Sequence, residues 1–260
     1  MKAIAPLAAA LLIAMTTPET TAQNRLRALP ATAPTAGSDP TSPERVALGR
    51  MLFWDPILSG AKDVACATCH HPAFGYSDGL DVSIGVNGAG LGSARSFVAG
   101  QPERLVKRNS QTVLNVAFNG LTESHDGTPA AAPMFWDLRT RSLESQALEP
   151  IKALEEMRGS AYPEDHSLGA VVSRLNAIPE YRQRFTQAFG GNAPVNQTNL
   201  ARALAAFQRT LIAPNTPFDR YMRGDPTAMS PEQLSGMERF NVLAGMTFWN
   251  SPGGFLRQPG

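Results

Sequence analysis

Apolar positions recur at helical spacing in several stretches of the chain. In TSPERVALGRMLFWD, Val46, Leu48, Met51, Leu52 and Phe53 gather on one side, behind Ser42 as N-cap and Pro43 as first helical residue. That pattern predicts a helix over 43–54. QTNLARALAAFQRTLI is clearer still, with Leu200, Ala203, Leu204, Phe207 and Leu211 on one face. Residues 142–157 and 166–189 also read as helical, the second broken near Pro179, and a Ser-Pro start recurs at 230. Residues 75–130 are instead dense in Gly, Asn, Ser and Asp, without alternation long enough for a strand. So long a loop needs a reason to be ordered, and a large rigid cofactor wrapped by it would supply one. The class is mainly α with long loops.

The amino terminus changes the picture of where the protein works. Lys2, an apolar run from Ala3 to Met15 and small residues near Ala22 read as a secretory signal peptide over 1–22, too short to span a bilayer. Residues 23–42, rich in Pro, Ala, Ser and Thr, read as a flexible leader. What remains, about 240 residues, is enough for a substantial core. The net charge of +1 gives no reason to invoke nucleic acid or anionic lipid.

Both cysteines stand in CATCHH, residues 66–71. A disulfide or a thioredoxin-like pair is one reading, but no βαβ pattern surrounds Cys66. A structural zinc needs four ligands, and the four histidines are scattered at 70, 71, 125 and 166. Cys-x-x-Cys-His is the attachment motif of c-type haem. Two thiols three apart on one turn can each form a thioether on one porphyrin edge, and the next side chain, His70, then lies under the iron. His71 points elsewhere and reads as a loop or haem-edge histidine. The expected cofactor is one covalent haem c, held by Cys66 and Cys69 and ligated through His70.

ALGRMLFWDPILSG, CATCHHPAFGYSDG, the SIG at 83–85, RNSQTVLNVAFN, FWDLRTRSLESQALEPI, LNAIPEYRQRF and LIAPNTPFDRYMRGD stand in an order that resembles the bacterial dihaem cytochrome c peroxidases and their tryptophan-oxidising relatives. The resemblance runs from about residue 43 to 245. It implies a cytochrome c-like peroxidatic haem domain over 43–165, connecting helices over 166–229, and over 230–260 the remnant of a truncated second cytochrome c-like domain. It also implies that Trp136 lies between the two haems and passes electrons, and that Gln146 and Glu156 form the distal pair. A carboxylate there can shuttle the peroxide proton, and an amide can only hold the peroxide. Glu155 is the alternative carboxylate. Asn109 matches a position near an interdomain calcium.

Two departures bear on mechanism. Where inactive bis-histidine relatives carry a histidine after an Ile-Gly pair, Ile84-Gly85 is followed here by Val86, so the haem is expected to lack a histidine cap from this loop and to be open to peroxide without reductive activation, unless Met134, Met157 or His125 moves in. Where a second haem motif is expected, Met246, Trp249 and Asn250 stand in place of Cys, Cys and His. The resemblance implies a periplasmic oxidoreductase that reduces hydrogen peroxide with electrons from a small cytochrome c or copper protein. A mono-haem electron-transfer cytochrome, a tryptophan-oxidising enzyme and an inactive truncated homologue are the other readings.

Overall fold

The computed structural model describes residues 26–34, 41–120 and 128–247, with side chains to 240. The expected signal peptide, much of the leader, His125, the side chain of Met246, and Trp249 and Asn250 lie outside the described residues. The chain divides into one compact unit over Ala28–Asp225 and a second that includes everything from Pro226. Within the second, a helix spans Pro231–Thr247, one residue past the expected Ser-Pro start.

In the larger unit, α1 (Pro43–Trp54) has the predicted bounds, with Ser42 Oγ accepting from Arg45 N–H at 3.3 Å. A single turn, α2 (Cys66–Cys69), follows. Next come α3 (Leu143–Lys152), α4 (Ser167–Ala177), α5 (Pro179–Phe189), α6 (Gln197–Gln208) and α7 (Pro217–Met222). Pro179 fixes the start of α5, where the sequence predicted a break. The helix expected over 197–212 stops at Gln208, and Arg209–Leu211 close it as a tight turn.

Helices α1 and α6 form the centre of the unit, and α3 packs on α6. Leu48, Leu52, Leu200, Ala203 and Leu204 are all at most 1% exposed, and the rings of Phe53 and Phe207 meet edge-on at 5.1 Å. The crossing is so close that a Cβ on Gly49 would collide with the Ala203 carbonyl. Burying such side chains contributes roughly 1.5–3 kcal/mol each. In the leader, Leu29 N–H donates to Asp219 Oδ1 at 2.8 Å and Arg223 Nη2 donates to Leu29 O at 2.6 Å, and Ala33 packs against the core.

The long loop region contains two minimal hairpins, Gly88–Ala89 with Ser96–Phe97 and Pro133–Met134 with Thr140–Arg141. Its order comes largely from Arg95, which is only 6% exposed. The guanidinium donates to the carbonyls of Ile84 (2.6 Å), Gly90 (3.0 Å) and Gly85 (2.5 Å), groups that would otherwise be left without partners.

The helix expected over 142–157 is two pieces. Pro150 lies inside α3, Ala153 is extended, and Leu154–Arg158 form a π turn. Its bonds run five residues back: Arg158 N–H to Ala153 O at 3.0 Å and Gly159 N–H to Leu154 O at 3.1 Å. Two distant glycines grip this turn. Gly60 N–H donates to Met157 O at 2.8 Å, and Val86 N–H to Glu155 O at 3.3 Å. A Cβ on Gly60 would strike Arg158 O, and one on Gly85 would stand 2.8 Å from Glu156 Cα and nearer still to the carbonyls of Glu155 and Glu156. No helix among the described residues is long and apolar enough to cross a membrane.

Candidate active site

Cys66 and Cys69 are on the one-turn helix α2, which Thr68 Oγ1 caps by accepting from Ala65 N–H at 3.0 Å. Both thiols are free, and burial pushes each up to about 12, with Cys69 adding to the effect at Cys66 and Asp78 at Cys69. His70 ends the turn. Its Nδ1–H faces two acceptors, Tyr76 O at 3.3 Å and Ser110 Oγ at 3.2 Å, while Ser110 Oγ donates to Cys69 O at 2.8 Å. Burial holds the imidazole below its ordinary pKa. A neutral ring with Nδ1–H engaged leaves Nε2 as the free lone pair, the state a metal-ligating histidine needs.

These three side chains open onto a cavity of about 740 Å³. Its volume lies within the range of small-molecule and cofactor sites. Phe53, Val64, Val113, Met134 and Leu204 give it apolar walls. Two unpaired thiols one turn apart, a neutral oriented imidazole and an apolar chamber of this size fit a covalently held haem.

Gln146, on α3, and Glu156, on the π turn, line the same cavity, as does Glu155. The two carboxylates differ in their surroundings. Glu155 pairs with Lys107 at 3.5 Å. Glu156 makes no hydrogen bond or ion pair with the described residues, and burial, reinforced by Glu155, raises its pKa above the ordinary 4.5, with Arg139 opposing. The unpaired carboxylate of raised pKa is Glu156.

Trp136 is at the cavity rim, 61% exposed, with Nε1–H donating to Asn109 O at 3.2 Å. A tryptophan is ordinarily core, but the hairpin that carries it has Phe135 at φ 68°, Leu138 at φ 56° and Ser142 at φ 67°, which turns the indole outward. Arg139 closes the loop, 2.8 Å from Asp137 Oδ1 and stacked on Phe135 at 3.6 Å from the ring centroid. Asn109 donates its amide to Leu80 O at 2.5 Å. Among the described residues, no group of three or more His, Cys, Asp or Glu could hold a metal ion.

Met134 and Met157, 2% and 3% exposed, both line the cavity, whereas Val86, 2% exposed, is packed in the core. His71 is outside the cavity, with Nδ1 accepting from Ala73 N–H at 3.2 Å. Sequence reasoning did not single out Ser110, which orients His70, or Gln208, a cavity-lining amide 6% exposed. Ser110 carries no periodic signal. Gln208 does: it is a polar residue four positions after Leu204, beside the apolar face of α6.

The model of the di-haem cytochrome c peroxidase family matches residues 43–227. The chain is 37% identical over 216 residues to the methylamine utilization protein MauG of Methylorubrum extorquens, covering 83% of this chain and 52% of that protein. It is 34% identical over 203 residues to cytochrome c551 peroxidase of Pseudomonas aeruginosa, covering 77% and 49%. The chain thus spans about half the length of these curated relatives. A MauG-like protein associated with microbial copper homeostasis superposes with a TM-score of 0.61 at 24% identity, over 82% of this chain and 53% of that one, a likeness of fold. The diheme peroxidase BthA of Burkholderia thailandensis gives 0.55 at 19%, over 82% and 52%. The mainly α, cytochrome c-like architecture and the Cys66-x-x-Cys69-His70 motif have one common source, for the chain belongs to the di-haem cytochrome c peroxidase family, whose members hold haem c covalently.

Proposed function

We propose that this chain is an exported, periplasmic haem c oxidoreductase that reduces hydrogen peroxide to water. Its electrons come from a donor protein such as a small cytochrome c or a copper protein. The observation that carries the reading is Glu156, an unpaired carboxylate of raised pKa facing the cavity that His70 also faces. Cys66, Cys69 and His70 would hold the haem, which would supply the redox chemistry of peroxide reduction.

The protein's own groups do the rest. Ser110 and the Tyr76 carbonyl hold the His70 ring by Nδ1, which fixes its orientation and leaves Nε2 free to ligate. The Glu156 carboxylate takes the proton of one peroxide oxygen and delivers it to the other, which departs as water. Gln146 offers an amide N–H that positions the peroxide without exchanging protons. The rim-exposed ring of Trp136 offers one route for donor electrons. Two electrons and two protons balance each peroxide against two waters.

The test compares peroxide turnover in the haem-loaded wild type, Glu156→Gln and Glu155→Gln. General acid–base catalysis contributes about 10²–10⁴-fold, so Glu156→Gln loses that much and Glu155→Gln retains most activity. Equal rates in wild type and Glu156→Gln overturn the assignment. One observation favours a second reading, a mono-haem electron-transfer cytochrome: Met134 and Met157 both face the cavity as potential sixth ligands. A methionine-to-iron charge-transfer band with no reaction toward peroxide would establish it. The match to MauG supports a third, in which the oxidised substrate is a tryptophan of a partner protein. Peptide mass mapping of that partner, showing an oxidised tryptophan, distinguishes it.

A further inference from the structure

Outside the cavity, one line of aromatic rings leads from the surface to the residue next to the haem ligand. Trp54, the last residue of α1, is 41% exposed, and its ring meets His71 edge-on, centroids 5.4 Å apart at 77°. Beyond His71, at 6.0 Å, is Phe74, itself 39% exposed. His71 is peptide-bonded to His70, so a short through-bond path along the backbone joins this stack to the His70 imidazole.

The stack is rigid at its middle. The His71 backbone bridges Ser77, and its Nδ1 accepts from Ala73 N–H at 3.2 Å. The ring therefore cannot turn away from Trp54 without breaking a turn. At the outer end, the Trp54 indole N–H has no hydrogen-bond partner among the described residues, and the residue is 41% exposed. Trp136 differs here, because its N–H is tied to the Asn109 carbonyl.

Structural packing alone would favour burying Trp54, since a large aromatic gains most from complete burial. Instead a readily oxidised ring is half in water and in contact with the proximal turn. We propose that Trp54 is an electron relay, through which a one-electron reductant in solution reaches the haem by way of His71 and His70. This rests on the peroxide-reducing reading above.

The step balances. The Trp54 ring gives up one electron to the oxidised haem, and the indole N–H proton passes to water. The donor then returns one electron and water one proton, restoring Trp54. Without a donor, a second electron leaves the ring and water adds to it. The net change is tryptophan plus hydrogen peroxide to hydroxytryptophan plus water. Trp136, whose N–H faces a carbonyl that cannot take the proton, is not expected to follow this course.

The experiment treats the haem-loaded protein with hydrogen peroxide, without reductant, and follows peroxide consumption alongside peptide mass mapping. The expected result is one added oxygen on the Trp54 peptide, lost in Trp54→Phe and suppressed by ferrocyanide as the one-electron reductant. Trp54→Phe should keep the wild-type ferric spectrum, which reports that the site is folded. Peroxide consumed with Trp54 unmodified overturns the relay and leaves the functional reading standing. Equal modification of Trp54 after cyanide has blocked the iron also overturns it, since the oxidation then bypasses the haem. Failure to consume peroxide at all removes the functional reading, and the relay with it.

Discussion

Replacing Gly85 by alanine tests whether the π turn positions the distal carboxylate. The added Cβ would stand 2.8 Å from Glu156 Cα and closer to two main-chain carbonyls. Carbon atoms rest about 3.5–4.0 Å apart, so the turn or the 84–86 segment must retreat by about 1 Å. None of the atoms struck is the end of a flexible side chain. Overpacking of this kind costs about 1–3 kcal/mol of stability. The catalytic effect should be larger, because a displacement of about 1 Å away from the reacting atoms can cost about 100-fold in rate. Peroxide turnover of the haem-loaded variant gives the rate, and denaturant unfolding gives the stability. Gly191→Ala is the control, since Gly191 has φ 78°, which an alanine adopts only with strain, and nothing is within 4 Å of the new methyl. It should lose about 1–2 kcal/mol of stability and no turnover. A Gly85→Ala protein that is destabilised yet turns over at the wild-type rate would refute the view that this contact places Glu156.

Other outcomes follow from the same geometry. The proton acceptor is the ionised form of Glu156, and its pKa is raised above 4.5, so turnover should fall as pH drops through that raised value and recover above it. In Glu156→Gln that acid limb should disappear, and an unchanged limb would assign it to another group. Ser110→Ala removes an acceptor 3.2 Å from His70 Nδ1 and should raise the haem midpoint potential. A lost hydrogen bond is worth about 1 kcal/mol, which for a one-electron couple is at most ~40 mV because Tyr76 O remains. Spectroelectrochemical titration reads it, and a lower potential contradicts the role given to Ser110. Tyr181→Phe removes the hydroxyl donating to Asp55 Oδ2 at 2.6 Å and should destabilise the fold by about 1–3 kcal/mol with the haem spectrum unaltered. Denaturant midpoints equal to wild type would show that pair to be idle.

What could be read in advance depended on how local its cause was. Helix α1 was legible because its cap, first-turn proline and apolar side are all within one short stretch, and the core seam of α6 was legible for the same reason. The Cys66–Cys69–His70 anchor is likewise one turn of chain. Gln146 and Glu156 were reached only through a resemblance, and their meeting in one cavity depends on the break at Ala153 between α3 and the π turn. The π turn was not legible, since LEEMR has the composition of an ordinary helix and the turn is held by distant backbone donors, Gly60 N–H and Val86 N–H. Arg95 would pass for a solvated loop cation, yet it is buried because three main-chain carbonyls converge on it. The outward turn of Trp136 depends on positive φ at Phe135 and Leu138, a conformation that neither residue type advertises.

The grip on the π turn works through main-chain atoms and through the side chains that Gly60 and Gly85 lack. The position of Glu156 is therefore insulated from most changes of side chain around it. Loops between residues 60 and 85, or between 86 and 153, can lengthen like slack in a tether without moving the carboxylate. One methyl group at either glycine would do what a whole inserted loop would not.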